Sequence, residues 1–337
     1  MRRKVTIQEI ADLAGVSKFA VSRALSGKSG VSEKTREMIH KAAGQLGYFV
    51  NEPKLHNGAI RNADTTSQWS GSIVVLFPNI RFQNKDSLYW GPIFDGVSAG
   101  LNQKGLDILT LTEPTSDHVF TLLNPGAIQG VITVGTISTS ILMDIKALNI
   151  PVVMVDHCDS TLQCDTILTD NFTCMKEMIS KLVSKGYRSF QFLGNINYAQ
   201  SFYERWIAFR AALDEYQLEF KQRPSLIGAE AEDTYNVIYA IPEDELPEVF
   251  VCANDSSAGY VLDALRDRGI PPSQCAVTGF DHTHDYLPTL ATVHVNKELL
   301  GMRAVDIMLW RIANRQSSYE KTLVYADVLI REFNGKR

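Results

Sequence analysis

The chain has 337 residues, of which 45% are hydrophobic and 21% charged, and its formal net charge is −5. This length allows two or three domains with a sizeable core, and the composition is that of a soluble globular protein. No apolar run reaches the ~18 residues of a membrane span, and no apolar stretch follows the basic N-terminus as in a secretory signal, so we expect a cytoplasmic protein without membrane contact.

Charge is distributed unevenly along the chain. Residues 1–57 carry ten Lys or Arg and five Asp or Glu, a net of +5, and the rest of the chain carries a net of −10. A basic N-terminal part on an acidic body predicts that only the N-terminal part binds nucleic acid. The five cysteines, an odd number without a C-x-x-C pair, indicate reduced thiols and not a disulfide framework or a zinc site.

Two short helices joined by a tight turn are predicted over Val5–Leu25. The first has one apolar face, can be capped by Thr6 and ends at Gly15. Ser17 can cap the second helix, and the pair has the helix-turn-helix pattern. The exposed residues of the second helix can meet phosphates and base edges; they are Lys18, Phe19, Ser22 and Arg23. The alternative is an ordinary helical hairpin at the edge of a domain.

A third helix is predicted from Ser32, a good N-cap residue, to a stop at Gly47. Its inward stripe is predicted to be Thr35, Met38, Ile39, Ala42 and Leu46. Small polar residues then dominate and no period persists, which is typical of a linker. We therefore expect a helical domain over residues 1–50, a linker over 51–71 and a body over 72–337.

In the body, short runs rich in Val, Ile and Leu alternate with helical stretches, as expected for parallel strands buried on both faces. The predicted strands are Ser72–Phe77, Leu106–Leu111, Gly130–Val134, Ile150–Val155, Ser189–Leu193, Val249–Ala253 and Ala276–Phe280. The predicted helices are Ile93–Lys104, Ile141–Leu148, Met175–Lys185, Phe202–Tyr216 and Ala258–Arg268. Two such sets predict an α/β body of two doubly wound parallel sheets, with a cleft between two lobes at the carboxyl ends of the strands.

Several motifs occur in an ordered series. The N-terminal ones are Ile7–Ala11, Ala14–Ser17, Val21–Leu25, Val31–Arg36 and Leu46–Tyr48. Those of the body are Asp170-Asn171, Glu204-Arg205, Cys252–Asp255, Gly269–Pro271, Val277–Asp281 and Val328–Glu332. In this order they resemble the LacI/GalR (lactose-repressor) family. The resemblance implies a DNA-binding headpiece and a body like a periplasmic sugar-binding protein, crossed by the chain near residues 167, 295 and 325.

The resemblance implies a transcriptional regulator, most simply a repressor, whose homodimer places two recognition helices in successive major grooves of a near-palindromic operator. It also implies a small-molecule effector, a sugar or sugar derivative, in the cleft. In the family, a hinge helix inserts an apolar wedge into the minor groove. Here Pro53 and Asn57-Gly58 leave room for about one turn, and Leu55 is the only candidate wedge.

The predicted DNA contacts divide by chemistry. Arg23 is expected to read a guanine edge, Phe19 a thymine methyl, and Lys18 to complete the preference. Hydroxyls, a charge and helix N-termini are expected to hold phosphates; the residues are Thr6, Ser17, Ser22, Ser32, Lys34 and Thr35.

The predicted effector contacts lie at strand ends. Asn254 and Asp281 each follow an apolar strand, and Arg205 begins a helix, so an amide, a carboxylate and a planar cation can fix hydroxyl groups. The resemblance implies the same role for these three positions. Tyr89 and Trp90 could stack on a flat or sugar-like face. The alternatives are a structural Arg205–Asp281 ion pair and aromatics that belong to the core.

The remaining motifs are weak evidence for catalysis, metal binding or nucleotide binding. Gly96–Gly100 matches the G-x-S-x-G of a hydrolase, but apolar residues run at helical spacing through it, so the required strand-to-helix turn is not predicted. His282 and His284 lack a third metal ligand at a suitable spacing, and no nucleotide-binding motif occurs. We therefore expect no catalysis, metal or cofactor. A plain solute-binding protein and an enzyme on a doubly wound sheet are the rival interpretations.

Overall fold

The computed structural model describes residues 6–25, 31–45, 71–77, 86–112, 126–228, 230 and 233–331. Leu55 and nearly all of the predicted linker over 51–71 lie outside these ranges, so the expectation of a minor-groove wedge stays a prediction. Within the described ranges, no helix is both long and apolar enough to cross a membrane.

The N-terminal part packs three helices around a small core: α1 (Ile7–Ala14), α2 (Lys18–Leu25) and α3 (Glu33–Gln45). A capping box begins α1, because the Thr6 hydroxyl accepts from the Glu9 N–H while the Glu9 carboxylate accepts from the Thr6 N–H. Gly15, at φ 64°, ends α1 in the left-handed region and turns the chain into α2.

The core of the headpiece is formed by Ile10, Ala11, Ala14, Val21, Ala24, Ile39, Ala42 and Ala43. The predicted stripe of α3 is wrong at Met38, which is 45% exposed. The stripe is confirmed at Ile39 and Ala42, which face α1 and α2 together with Ala43, since a spacing of three and four residues makes a narrow stripe and leaves Met38 on its flank. The predicted Leu46 and the stop at Gly47 lie outside the described residues.

The first sheet of the body has the order β2-β1-β3-β4-β5-β10, and all neighbouring strands are parallel. Its strands are β1 (Ser72–Phe77), β2 (Asp107–Thr112), β3 (Ile128–Val134), β4 (Val152–Val155), β5 (Asp165–Thr169) and β10 (Lys321–Val324). Alternate residues of each strand pack on opposite faces, against α4 (Trp90–Gln103) on one side and α5 (Thr139–Ala147) on the other. The sheet is therefore covered on both sides, as predicted.

The second sheet has the order β6-β7-β8-β9-β11. Its strands are β6 (Phe190–Leu193), β7 (Val249–Cys252), β8 (Ala276–Thr278), β9 (Ala291–His294) and β11 (Asp327–Ile330). The helices around it are α6 (Asn171–Ser184), α7 (Gln200–Glu215), α8 (Pro224–Ile227), α9 (Thr234–Tyr239) and α10 (Asp255–Asp267). The predicted α/β architecture is confirmed, with one addition: β11 is an antiparallel edge strand beside β9.

The chain passes between the two sheets three times in the described ranges. It enters the second sheet after β5, and after β9 it forms α11 (Lys297–Ala313), which packs on α4 and on β3, β4 and β5. It then adds β10 to the first sheet and returns as β11. Strands β5, β9, β10 and β11 and helix α11 were not among the elements predicted from the sequence.

Helices α4 and α11 cross with their backbones in contact. A Cβ at Gly96 would overlap the Glu298 carbonyl, and a Cβ at Gly301 would overlap the Ile93 carbonyl. The G-x-S-x-G motif thus serves helix packing. Ser98 lies in the middle of α4, without the strand-to-helix turn that a nucleophile elbow needs.

Candidate functional site

The outward face of α2 carries the side chains predicted to read DNA. Lys18, Phe19 and Ser22 are exposed there, and Phe19 exposes 70% of its surface. The Arg23 guanidinium carbon lies 5.4 Å from the centre of the Phe19 ring, a cation–π distance. The opposite face of α2 is buried in the headpiece core, which holds this face outward.

Most of the hydroxyls predicted to contact phosphate lie at helix N-termini, whereas Ser22 lies in the middle of α2. Ser17 and Ser32 each accept a hydrogen bond from the backbone N–H three residues further on, at 3.2 Å, and Thr6 does so at 3.3 Å. All three are exposed, as is Lys34 in the first turn of α3, and Thr35 is half-buried beside Ser32. Exposed first turns present N–H groups and a positive dipole end, which favour anions.

A buried ion pair lies at the carboxyl ends of the second sheet. Arg205 Nη2 donates to Asp281 Oδ1 at 2.8 Å, and Nη1 donates to Oδ2 at 3.4 Å. Arg205 is 2% exposed and Asp281 8%. The structural ion pair considered as the alternative to ligand binding is therefore present. An ionised carboxylate has about four acceptor positions, so Asp281 keeps capacity for a ligand.

Hydrogen bonds and an aromatic ring contact fix the position of the Arg205 side chain. Its Nε donates to Asn171 Oδ1 at 2.9 Å and its Nη1 donates to the Ala253 carbonyl at 2.6 Å. Its guanidinium carbon lies 3.6 Å from the centre of the Phe280 ring. Asn171 in turn donates to Glu204 at 3.0 Å. Such packing and secondary hydrogen bonds preorganise a polar site.

The backbone of the Asp281 turn is held by a buried lysine. Asp281 and His282 have φ values of 84° and 46°, a region that non-glycine residues rarely adopt. Lys297 Nζ donates to the Asp281 carbonyl at 2.6 Å and to the His282 carbonyl at 3.4 Å. Burial lowers the pKa of Lys297, and nearby Asp281 opposes this shift. Lys297 thus stabilises the strained turn from which Asp281 meets Arg205.

The first lobe contributes Tyr89 and Asp156 to the same place. Burial raises the pKa of the Asp156 carboxyl to about 7, Arg205 opposes the rise and Asp281 adds to it. Burial also raises the pKa of Tyr89, with contributions from Asp156 and Asp281. These mutual effects place groups from both lobes within electrostatic range. A carboxyl, a phenol and an Arg–Asp pair form a polar cluster suited to a ligand rich in hydroxyls.

The raised pKa of Asp156 predicts a pH-dependent stability. The folded state holds this proton more tightly than the unfolded state, where the pKa takes its ordinary value of 3.8. The stabilisation is fully present below 3.8 and is lost as the pH rises through about 7. We therefore compare the free energies of unfolding of Asp156→Asn and the unmodified chain in urea at two pH values. The difference between the two chains should favour the variant more at pH 8 than at pH 4. Parallel pH profiles of the two chains would contradict this.

The predicted effector residues fall into two groups. Tyr89, Arg205 and Asp281 meet in the polar cluster. Asn254 caps α10, because its Oδ1 accepts from the Ser257 N–H at 2.9 Å. Trp90 packs edge-to-face on Tyr89, with ring centres 4.8 Å apart, and lies against the core. The effector role of all five positions stays a prediction.

Sequence reasoning missed Asp156, a member of this cluster, and three polar residues that support it through hydrogen bonds: Asn171, Glu204 and Lys297. Asp156 follows the predicted strand Ile150–Val155, as Asn254 and Asp281 follow theirs, so the same strand-end rule could have found it. Asn171 lies just past β5, which was not predicted from the sequence. Lys297 had no such signal, since only the tertiary fold brings it to the Asp281 turn.

Across the described residues, no three His, Cys, Asp or Glu side chains group in a way that could hold a metal ion. His282 Nε2 lies 2.9 Å from Asp285 Oδ1, and the His284 ring contacts the Thr283 hydroxyl at 2.9 Å. All five cysteines are free thiols, four of them buried.

Two known families match different parts of the chain. Residues 6–51 match the bacterial regulatory proteins of the lacI family. Residues 179–332 match the periplasmic binding protein-like domain. The first match covers α1, α2 and α3, and the second begins within α6 and extends just past β11.

Full-length relatives have the same organisation. The chain is 29% identical to the HTH-type transcriptional regulator GalR of Lacticaseibacillus casei, over 95% of this chain and 98% of that relative. It is 26% identical to the HTH-type transcriptional repressor PurR of Actinobacillus pleuropneumoniae, over 94% and 93% of the two chains.

Solved structures share the fold. A cellobiose complex of the transcriptional regulator CelR superposes with a TM-score of 0.67 at 19% identity, over 98% of this chain and 99% of that chain. The Lac repressor dimer bound to operator and the anti-inducer ONPF superposes with a TM-score of 0.64 at 22% identity, over 98% of each chain.

Proposed function

This chain belongs to the lacI family of bacterial regulatory proteins, and we propose that it represses transcription by binding a near-palindromic operator as a homodimer under the control of a sugar-like effector. The observation that carries the proposed operator binding is the outward face of α2. Phe19, Lys18 and Arg23 lie on this face, while Val21 and Ala24 on the opposite face pack in the headpiece core. The solute-binding alternative is set aside, because residues 6–51 match a DNA-binding family and the full-length relatives are named as regulators.

Arg23 is proposed to read a base and Lys34 to contact a phosphate. Arg23→Ala should weaken binding to the selected operator by roughly 1–3 kcal/mol and relax the preference at one base pair. Lys34→Ala, the matched control, should weaken binding to all DNA evenly and reduce the slope of log affinity against log salt by about one. Both are measured by fluorescence anisotropy on operator and random duplexes. An equal loss on both duplexes for Arg23→Ala would contradict base reading, and an unchanged salt slope for Lys34→Ala would contradict the phosphate contact.

The effector half of the proposal rests on the polar cluster of Tyr89, Asp156, Arg205 and Asp281. Carboxylates and a guanidinium are suited to hydroxyl groups, and an aromatic ring is suited to the apolar face of a sugar. Structural neighbours are complexes with cellobiose and with ribose. A thermal-shift screen of neutral, acidic and phosphorylated sugars tests the class, because a tight ligand raises the melting temperature by mass action. Stabilisation by none of them would oppose a sugar effector.

Effector and operator are proposed to act on one equilibrium between lobe arrangements. An effector that prefers one arrangement changes operator affinity, and operator then changes effector affinity by the same factor. The chain would act in the cytoplasm, where its DNA is, and would release the effector unchanged.

The dimer interface is proposed to include a groove of about 810 Å³ beside α10. Tyr260, Tyr286 and Leu287 line it, and Tyr286 exposes 78% of its surface. The occupant is a second copy of this chain, because a two-fold interface places the same tyrosines on both sides and each copy fills the groove of the other. The Lac repressor structure with the same fold is a dimer.

Tyr286→Asp should weaken the dimer by about 1,000-fold, since a buried interface tyrosine is worth about 2 kcal/mol and the substitution acts on both copies, about 4 kcal/mol in total. Analytical ultracentrifugation over a dilution series measures this. Tyr325→Asp is the matched control, because Tyr325 is 68% exposed but lies beside β10 on the first sheet. The same weakening by both substitutions would contradict the assignment of the groove.

A further inference from the structure

Phe19 and Arg23 form a pair on the recognition helix. They are four residues apart in α2, so their side chains lie on the same face one turn apart. The guanidinium carbon of Arg23 is 5.4 Å from the ring centre of Phe19. A cation within about 6 Å of a ring centre is attracted by the negative face of the ring.

Headpiece packing does not require the Phe19 side chain. The buried residues of α2 are Val21 and Ala24, whereas Phe19 leaves 70% of its surface in solvent. A phenylalanine so exposed gains little from folding, and its apolar surface becomes valuable only when another molecule covers it.

The ring also restrains the arginine. An arginine side chain has many rotamers, and binding that immobilises it costs conformational entropy. A contact with the ring limits those rotamers before DNA arrives. The guanidinium keeps its planar fork, which matches the O6 and N7 acceptors of guanine.

We propose that Phe19 and Arg23 read DNA as one unit that selects a thymine next to a guanine in each half-site. Arg23 donates two hydrogen bonds to the guanine edge, while the Phe19 ring covers the thymine methyl and holds the guanidinium. This inference rests on the operator-binding function proposed above and specifies what the operator must contain. Phe19 acts both by touching the methyl and as a positioning residue for Arg23.

The test lets the full chain choose its own site from a pool of random duplexes. In the selected operator, each thymine is replaced in turn by deoxyuridine, which removes only the methyl group. One methyl removed next to the guanine should weaken binding about fourfold, and removal in both half-sites about fifteenfold, from the value of one buried methyl group. Replacing that thymine–adenine pair by 5-methylcytosine–guanine should preserve the methyl contribution.

Variants at Phe19 separate the two roles, and the exposure of this position makes folding defects a minor concern. Phe19→Ala should abolish the response to deoxyuridine and lower the preference for guanine. Phe19→Leu should retain part of the methyl response but lower the guanine preference as much as Phe19→Ala does, because leucine lacks a negative ring face. Phe19→Tyr keeps an aromatic ring, so it should retain both the methyl response and the guanine preference. Circular dichroism of each variant verifies the helices.

Three results would overturn the proposal. They are a selected operator without an adjacent thymine and guanine, a deoxyuridine effect that persists in Phe19→Ala, and an unchanged guanine preference in Phe19→Leu. Each of these leaves operator binding intact. If the chain selects no sequence at all, the proposed function fails and this inference fails with it.

Discussion

Arg311→Met is expected to lower the free energy of unfolding by about 3–5 kcal/mol, because it leaves a buried carboxylate without its partner. Arg311 Nε donates to Asp165 Oδ2 at 2.6 Å and Nη2 donates to Oδ1 at 2.9 Å. The two side chains are 2% and 1% exposed. The Asp165 hydrogen bond raises the pKa of Arg311. The same guanidinium donates to three carbonyls, those of Asn314, Ser317 and Ser318.

Arg311 therefore links α11 by hydrogen bonds to the start of β5 and to the loop that leads into β10. Urea unfolding at constant protein concentration measures the loss, since a dimer's stability depends on concentration. Arg303→Met on the same helix is the matched control. Arg303 pairs with Asp306 at 3.1 Å in solvent, and its loss should cost less than about 1 kcal/mol. Equal losses for Arg303→Met and Arg311→Met would contradict the argument.

A double substitution gives a second test of the same ion pair. Arg311→Met with Asp165→Leu removes both charges, so it should recover much of the stability lost in Arg311→Met. If the double variant is less stable than Arg311→Met, Arg311 acts mainly through the three carbonyls.

Arg205→Met is expected to weaken effector binding by at least about 30-fold, which corresponds to about 2 kcal/mol or more for a truncated buried charge pair. The variant loses the guanidinium and leaves Asp281, 8% exposed, without its partner. The operator affinity of the variant should then no longer respond to the effector at concentrations that act on the unmodified chain. Isothermal titration with the sugar identified by thermal shift measures the affinity.

Two further variants keep this prediction testable if Arg205→Met folds poorly. Arg210→Met lies on the same helix, but Arg210 is exposed and stacks near Trp206 and Phe220, so effector affinity should not change. Asp281→Asn keeps the shape of the side chain and removes its charge, so it should weaken effector binding with a smaller loss of stability. Unchanged affinity in both Arg205→Met and Asp281→Asn would remove the polar cluster from the effector site.

In the headpiece, short-range sequence signals were enough to predict where helices begin and end. Thr6, Gly15 and Ser17 predicted the ends of α1 and the start of α2, because capping depends on residues within one turn. Seven strands, β1 to β4 and β6 to β8, were predicted for the same reason, since a continuous apolar run is a local property. The buried strands β5 and β9 were not predicted. The error at Met38 arose because the face of α3 that meets α1 and α2 is chosen by packing.

Elements near the crossings were harder to predict. Strand β10 alternates exposed and half-buried residues at the sheet edge, so it lacks a continuous apolar run. Helix α11 offered a usable signal in Asn296, whose side chain accepts from the Leu299 N–H as an N-cap, followed by apolar residues at helical spacing.

The sequence by itself determined the helix-turn-helix, the exposed face of its second helix, the α/β class of the body and the strand-end position of Asp281. Only the tertiary structure decided that Arg205 and Asp281 pair across 76 positions, that Lys297 holds the Asp281 turn, and that Asp156 of the other lobe lies within electrostatic range of the pair. Caps, periodicity and turns are short-range effects and can be recognised in a few residues. Which strand ends meet depends on how two sheets pack and on where the chain crosses between them, and no local pattern records that.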